Sequence, residues 1–134
     1  MRETILVVED GDAVRNLVCA MLVQNGYRVL EARDAHHALR VCEKHPEPIQ
    51  LVLTDLVMPG MKGAELAECL CRARPGLRVL LMSGYAEART LADWGCGQMA
   101  FLAKPFTSVQ LVEKVREILG GARNGLTNQR RADD

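Results

Sequence analysis

The sequence predicts an α/β domain in which helices cover both faces of a doubly wound parallel sheet. Short apolar runs bounded by turn residues indicate buried strands. They alternate along the chain with segments of helical periodicity. Five strands that alternate with five helices are typical of a parallel sheet, because right-handed crossovers place the helices on its faces. A length of 134 residues suits a single domain.

The predicted strands are the short apolar runs, and several of them end at Gly, Pro or charged residues. The five runs are Thr4–Val8, Tyr27–Ala32, Leu51–Thr54, Val79–Met82 and Ala100–Ala103. The near-continuous apolar run Leu51–Thr54 favours a strand that is buried on both faces of a sheet. The pattern alone does not determine the order of the strands.

The first two predicted helices have start and stop signals in the sequence. Asp12 is expected to cap the first helix, and Gly26 is expected to end it. Asp34 is expected to cap the second helix, which ends before Pro46.

The remaining three helices are predicted with unequal support. One follows Gly63 and closes at Pro75-Gly76. A weaker one covers Tyr85–Trp94, where small residues give no strong apolar stripe. Thr107–Gln110 has the form of a capping box and starts the last helix, which Gly120-Gly121 is expected to end.

Composition limits the function classes. Residues 1–121 are the predicted domain, and residues 122–134, polar and without periodicity, are a predicted flexible tail. The chain carries 17 basic and 17 acidic side chains, so nothing supports direct binding of nucleic acid. No apolar run approaches membrane-spanning length, and no signal-peptide pattern opens the chain. We expect a cytoplasmic protein without a membrane partner.

The cysteines do not form a metal-binding pattern. Paired Cys-x-x-Cys spacing is missing, and the histidines offer no ligand pattern either. We interpret the thiols as reduced and as buried or half-buried. They are Cys19, Cys42, Cys69, Cys71 and Cys96.

Polar residues with useful chemistry follow four of the five predicted strands. Glu9 and Asp10 follow the first, Asp55 the third, Ser83 the fourth and Lys104 the fifth. Because the carboxyl ends of parallel strands meet at one edge, these side chains are expected around one crevice. Taken singly, each has an ordinary alternative as a helix cap, a turn residue or a solvated lysine.

The segments at these strand ends resemble the bacterial response-regulator receiver domain, whose aspartate accepts a phosphoryl group from a phosphohistidine kinase. The matching segments are ILVVED (Ile5–Asp10), TDLVMPGMKG (Thr54–Gly63), MSGY (Met82–Tyr85) and FLAKPF (Phe101–Phe106). They occur in the order of the family, and the resemblance covers about residues 3–119. It implies the flavodoxin-like strand order 2-1-3-4-5. It also implies a signalling module that assists its own Mg²⁺-dependent phosphorylation and dephosphorylation.

The resemblance assigns roles in phosphoryl transfer. Asp55 would be the phosphoacceptor, and Lys104 would offset the charge of the phosphoryl oxygens. Ser83 would donate its hydroxyl to one of these oxygens and act as a switch residue together with Phe101. The bond between Lys104 and Pro105 is expected to be cis.

The resemblance also implies a Mg²⁺ site. Asp10 and Asp55 would be direct ligands together with the backbone carbonyl of Val57, and Glu9 would contact the metal through water. A haloacid-dehalogenase-type phosphatase needs a second Asp at the position of Val57, so that enzyme class does not fit. The resemblance also implies that Val57 and Tyr85 flank the approach of water to the phosphorus. Neither carries a carboxylate or an amide that could orient an attacking water, and both are bulky, which predicts slow self-dephosphorylation.

The implied partners are proteins. The donor would be a histidine kinase or a histidine phosphotransfer protein. A downstream protein would bind the face formed by the helix Tyr85–Trp94, the fifth strand and the last helix. We expect no output domain after the last helix, and both a stand-alone regulator and a segment of a hybrid sensor kinase remain open. The alternative function is a receiver-shaped interaction module that is never phosphorylated.

Overall fold

The computed structural model describes residues 2–55, 63–83 and 98–127, with side chains over 2–55, 65–82 and 100–120. The strands are β1 (Thr4–Val8), β2 (Arg28–Ala32), β3 (Leu51–Asp55), β4 (Arg78–Ser83) and β5 (Gln98–Ala103). The helices of the described residues are α1 (Asp12–Gln24), α2 (Ala35–Lys44), α3 (Gly63–Ala73) and α4 (Ser108–Thr127). The predicted helix Tyr85–Trp94 lies outside the described residues.

The sheet has the predicted topology. Its five strands run in the order β2-β1-β3-β4-β5, and every neighbouring pair is parallel. The register aligns the strand ends, since Val8 pairs with Thr54 and Ser83 pairs with Ala103. The residues that follow β1, β3, β4 and β5 therefore lie along one edge of the sheet.

Helices cover both faces of the sheet, as predicted, and β1 shows how the side chains divide between them. Leu6 and Val8 belong to a core cluster that includes residues of α2 and α3. Ile5 and Val7 belong to a second cluster that includes residues of α1 and α4. All four are fully buried, and each buried side chain of this size contributes about 1.5–3 kcal/mol. The two clusters fix β1 in the centre of the domain.

Several predicted helix boundaries are confirmed by their hydrogen bonds. The Asp34 carboxylate accepts a hydrogen bond from the backbone N–H of His37 at 2.8 Å and caps α2. The capping box before α4 is complete: the N–H of Gln110 donates to Thr107 Oγ1 at 3.1 Å, and the N–H of Thr107 donates to Gln110 Oε1 at 2.8 Å. Gly26 follows α1 with φ of 93°, a conformation that favours glycine.

Two predicted boundaries are wrong. Gly11, not Asp12, is the N-cap residue of α1; Asp12 is the first helical residue, and its carboxylate binds Arg15 at 2.6 Å. α4 does not end at Gly120-Gly121 but runs to Thr127. A glycine inside a helix costs only about 1 kcal/mol, so two glycines need not end one. The first part of the predicted tail is helical, while residues 128–134 lie outside the described residues.

Arg74 anchors the connection that leads into β3. Its guanidinium donates to the backbone carbonyl of Cys42 at 2.9 Å, to that of Glu47 at 2.9 Å and to that of His45. These carbonyls lie at and beyond the end of α2, where helical carbonyls lack partners within the helix. Arg74 thus holds the chain just before the strand that ends on Asp55.

The cysteines that the structure describes are free thiols. Cys19 and Cys42 are buried, and Cys69 and Cys71 are half-buried, as predicted. Cys96 lies outside the described residues. Among the described helices, none combines the length and the apolar character that a membrane crossing requires.

Candidate functional site

Three carboxylates meet at the carboxyl edge of the sheet. Glu9 and Asp10 directly follow β1, and Asp55 is the last residue of β3. One carboxylate oxygen from each lies within 4.8 Å of those of the other two. We call these three residues the acidic cluster. Its members differ in burial: Glu9 is buried, Asp55 is half-buried and Asp10 is exposed.

Glu9 is the unusual member, since only 4% of its surface is exposed. Its Oε2 accepts a hydrogen bond from the N–H of Gly11 at 3.0 Å. Its Oε1 is buried and has no hydrogen-bond partner among the described residues. Burial raises the pKa of Glu9, and the neighbouring charge of Asp55 raises it further. A buried oxygen without a partner among the described residues, beside two other carboxylates, is chemically suited to face a cation.

Lys104 supplies the positive charge. Its Nζ donates to Asp55 Oδ2 at 2.5 Å, and the side chains of Lys104 and Asp55 are 36% and 13% exposed. A charge-assisted hydrogen bond of this length orients the Asp55 carboxylate towards Lys104, the residue that directly follows β5. The peptide bond between Lys104 and Pro105 is cis, as predicted.

Sequence reasoning missed Arg15, which contacts the same edge of the sheet. Its guanidinium donates to the backbone carbonyl of Glu9 at 2.9 Å, to Asp12 Oδ1 at 2.6 Å and to Glu31 Oε1 at 3.3 Å. The spacing of Asp12 and Arg15 on one helix was the only signal in the sequence, and it indicates at most a surface ion pair. The contacts with Glu9 and Glu31 depend on the fold.

Comparison with known proteins identifies the family. The family model of the response regulator receiver domain matches residues 5–116, which is most of the chain. The chain belongs to this family. Receiver domains are signalling modules of two-component systems, with phosphohistidine proteins as partners and Mg²⁺ at an acidic pocket.

Individual relatives agree with this assignment. The sensor kinase CckA of Brucella abortus (strain 2308) is 40% identical over 120 residues, which cover 87% of this chain but only 12% of CckA. The response regulator receiver protein CpdR of the same organism is 32% identical over 116 residues, covering 86% of this chain and 95% of CpdR. A CheY-like receiver domain protein from Methanospirillum hungatei JF-1 has a TM-score of 0.82 at 29% identity, covering 93% of this chain and 99% of that one.

The structure brings together only part of the predicted site of the receiver domain. Glu9, Asp10, Asp55 and Lys104 form one crevice, as described above. Ser83 ends β4 at the same edge, but its side chain lies outside the described residues, as do Val57 and Tyr85. Their predicted roles stay predictions.

Phe101, the predicted switch residue, lies on β5 and is half-buried. It packs against the core cluster that contains Val79 and Leu81 of β4. The contact is compatible both with an ordinary core residue and with a switch, so the role of Phe101 also stays a prediction.

The acidic cluster fits a hard divalent cation. Such cations prefer oxygen ligands, and Mg²⁺ typically takes one or two carboxylates and keeps several waters. The cluster offers one carboxylate oxygen from each residue within 4.8 Å of the other two. Glu9 also carries a buried oxygen, Oε1, without a hydrogen-bond partner among the described residues. Without a cation, three carboxylates at this spacing repel one another, and Lys104 offsets only part of that charge.

Proposed function

We propose that this receiver domain accepts a phosphoryl group on Asp55 from a phosphohistidine of a histidine kinase or a histidine phosphotransfer protein. The observation that carries the proposal is the position of the Asp55 carboxylate. It ends the third strand, lies within 4.8 Å of two further carboxylates and is held by Lys104 at 2.5 Å. A nucleophile, a cation-binding cluster and a fixed ammonium are the parts that phosphoryl transfer requires.

In the proposed reaction an Asp55 carboxylate oxygen attacks phosphorus opposite the histidine nitrogen. The new O–P bond forms as the P–N bond breaks, the imidazole nitrogen keeps the electron pair, and Asp55 carries an acyl phosphate. Lys104 is already beside the attacking carboxylate, so its ammonium can shift from Asp55 Oδ2 to a phosphoryl oxygen over a short distance. Ser83 would donate its hydroxyl to another phosphoryl oxygen.

The residues that would hold the metal are Asp10, Asp55 and the backbone carbonyl of Val57, with Glu9 in contact through water. When bound, Mg²⁺ offsets the negative charge of the phosphoryl oxygens. Glu9 suits an indirect role because its Oε2 is engaged by Gly11, while its buried Oε1, without a partner among the described residues, could accept a hydrogen bond from a bound water. The domain would thereby assist its own phosphorylation and dephosphorylation.

The phosphoryl donor must cover the surface around Lys104, and that surface has an apolar part. Val14, Leu17 and Phe106 line a groove beside Lys104. Val14 is 43% exposed and Leu17 is 58% exposed. Exposed apolar side chains next to a reactive carboxylate favour docking of a protein donor. We refer to this surface as the Leu17 groove.

Further elements of the proposal concern the response. A downstream protein would bind the face that includes β5 and α4, with Phe101 as the residue that couples Asp55 to it. Phe101 lies on the strand that leads to Lys104, which supports this coupling. Free thiols in the described part of the chain support a reducing, cytoplasmic location.

The test is labelling by a small phosphodonor such as acetyl phosphate in the presence of Mg²⁺, followed by mass spectrometry of the intact protein. The parent should gain one phosphoryl group, and Asp55→Asn should gain none while keeping its fold. Lys104→Ala should react at least tenfold more slowly, because about 1.4 kcal/mol of lost stabilisation has that effect. Lys114→Ala is the matched control, since Lys114 pairs with Glu117 on α4. Labelling of Asp55→Asn would contradict the assignment, and an unreactive parent would favour the interaction module.

A further inference from the structure

Arg15 connects three separate parts of the chain at the edge that carries the acidic cluster. Its acceptors are the backbone carbonyl of Glu9, the Asp12 carboxylate on the first turn of α1 and the Glu31 carboxylate on β2. The side chain is only 15% exposed, although its two carboxylate partners are 83% and 51% exposed. A guanidinium that is held between two carboxylates and aimed at a carbonyl has little freedom to move.

The carbonyl that Arg15 contacts belongs to the peptide that joins Glu9 to Asp10. The N–H of Glu9 still donates to Ala32 of β2 at 3.1 Å, as a continuation of the strand pairing. Beyond that bond the chain leaves the sheet and turns into α1. The carbonyl of Glu9 is held by Arg15 at 2.9 Å, so both sides of the Glu9 residue are fixed. Rotation of this peptide would swing the Asp10 side chain, which follows it directly.

We propose that Arg15 is a positioning residue for the acidic cluster, which fixes the Glu9–Asp10 peptide so that the Asp10 carboxylate stays beside Asp55. The inference rests on the proposed function in one respect, namely that the acidic cluster holds Mg²⁺. Arg15 touches neither Asp55 nor the reacting phosphorus, so it acts only through Glu9 and Asp10.

Charge and geometry predict opposite effects when Arg15 is removed. A cation near three carboxylates disfavours binding of a second cation, so its loss would tighten Mg²⁺ binding if charge alone mattered. If Arg15 instead holds the peptide, its loss frees Asp10, and the metal must then order the loop on binding. Residues that orient metal ligands typically contribute about 10–100-fold to affinity. The sign of the change therefore distinguishes the two roles.

The experiment measures Mg²⁺ affinity by titration calorimetry on the full chain. Arg15→Ala should bind Mg²⁺ about tenfold more weakly or worse. Arg15→Lys, which keeps the charge but cannot reach three acceptors, should lose at least threefold. Arg116→Ala is the matched control: Arg116 contacts Asn25 beyond the other end of α1, and its loss should change the affinity less than twofold. Thermal unfolding in EDTA sets a temperature at which every variant is folded.

Two outcomes would overturn the inference. One is Mg²⁺ binding by Arg15→Ala that is tighter than in the parent or weaker by less than threefold. The other is full parental affinity in Arg15→Lys, which also decides the matter if Arg15→Ala does not fold. Neither depends on phosphorylation, since the readout is Mg²⁺ binding alone. A parent that binds Mg²⁺ but is not labelled would contradict the role of Asp55 and leave the role of Arg15 standing.

Discussion

Replacing Glu9 by Gln should stabilise the metal-free domain and weaken its response to Mg²⁺. The substitution keeps the shape of the side chain and an oxygen that can accept the hydrogen bond of Gly11. It removes one negative charge from a residue that is 4% exposed and whose second carboxylate oxygen has no partner among the described residues. The new amide group can also donate to a neighbouring carboxylate of the cluster.

The magnitude follows from the spacing of the charges. Two carboxylates 4.8 Å apart repel by about 0.9 kcal/mol at the dielectric constant of water and by about 3.5 kcal/mol at an effective value of 20. Lys104, which contacts Asp55, offsets part of this repulsion. We expect the free energy of unfolding to rise by about 1 kcal/mol in EDTA at pH 7. In a domain of this size that shifts Tm upwards by about 4 °C.

Magnesium should shift the difference in stability towards the parent. A ligand at 100 times its Kd stabilises a protein by about 2.7 kcal/mol, so the parent should gain more than the metal-free difference. Glu9→Gln should gain less, because it lacks the charge that favours a cation.

The assay is urea unfolding in EDTA and in excess Mg²⁺. Glu117→Gln is the control, since Glu117 is 72% exposed and pairs only loosely with Lys114 at 3.6 Å. This control should shift neither curve by more than about 0.5 kcal/mol. A less stable Glu9→Gln in EDTA, or an equal gain from Mg²⁺ in both proteins, would refute the reasoning.

Three further predictions address other parts of the molecule. Arg74→Ala should lower the free energy of unfolding, measured in urea, by about 2–4 kcal/mol, because three backbone carbonyls lose a charged donor. The control Arg72→Ala loses one exposed ion pair and should lower it by less than about 0.5 kcal/mol. Equal losses in the two variants would contradict the anchoring role of Arg74. Leu17→Ser should slow phosphoryl transfer from a phosphohistidine protein without changing the rate of labelling by acetyl phosphate. The control Val23→Ser should change neither rate, since Val23 is also 58% exposed on α1 but lies outside the Leu17 groove. If Val23→Ser slowed the transfer as well, docking of the donor on the Leu17 groove would be contradicted. Burial raises the pKa of Cys19 to about 11, so the fraction of its thiolate form rises only as the pH approaches that value. At pH 8, peptide mass spectrometry should find Cys19 less alkylated by iodoacetamide than the half-buried cysteines. Early alkylation of Cys19 would contradict its burial.

The sequence was sufficient for the sheet and for the residues along its carboxyl edge, for a simple physical reason. Parallel strands in register bring their ends to one line, so a polar residue directly after an apolar run has a predictable place. Asp55 and Lys104 are 49 residues apart in sequence and form an ion pair in space because each ends or follows a strand. Sequence reasoning failed at two of the helix ends. Asp12 suits the cap position, yet it lies one residue further into the helix, where its carboxylate pairs with Arg15.

Arg15 shows why part of the site could not be predicted. Its contact with Glu31 joins residues 16 apart, and its contact with the Glu9 carbonyl involves a backbone atom that every residue has. No residue type or spacing marks such a bond in a sequence. Predictions from strand ends therefore find the groups that carry charge, whereas the groups that hold the backbone become visible only in the folded chain.

If Asp55 is phosphorylated as proposed, the charges of the crevice make Lys104 the group that would respond first. Three carboxylates and one ammonium leave a formal charge of −2, which one divalent cation would balance. The proposed conversion of Asp55 to an acyl phosphate would add about 0.5 to 1 further negative charge, because a phosphoryl group carries about −1.5 to −2 and replaces a carboxylate of −1. Among the described groups, Lys104 is the cation already in contact with Asp55, so it meets the added charge first. Lys104 follows β5, three residues after Phe101, and any shift of its backbone reaches β5 directly. We therefore expect phosphorylation to change the β5 edge of the domain before it changes the opposite edge at β2.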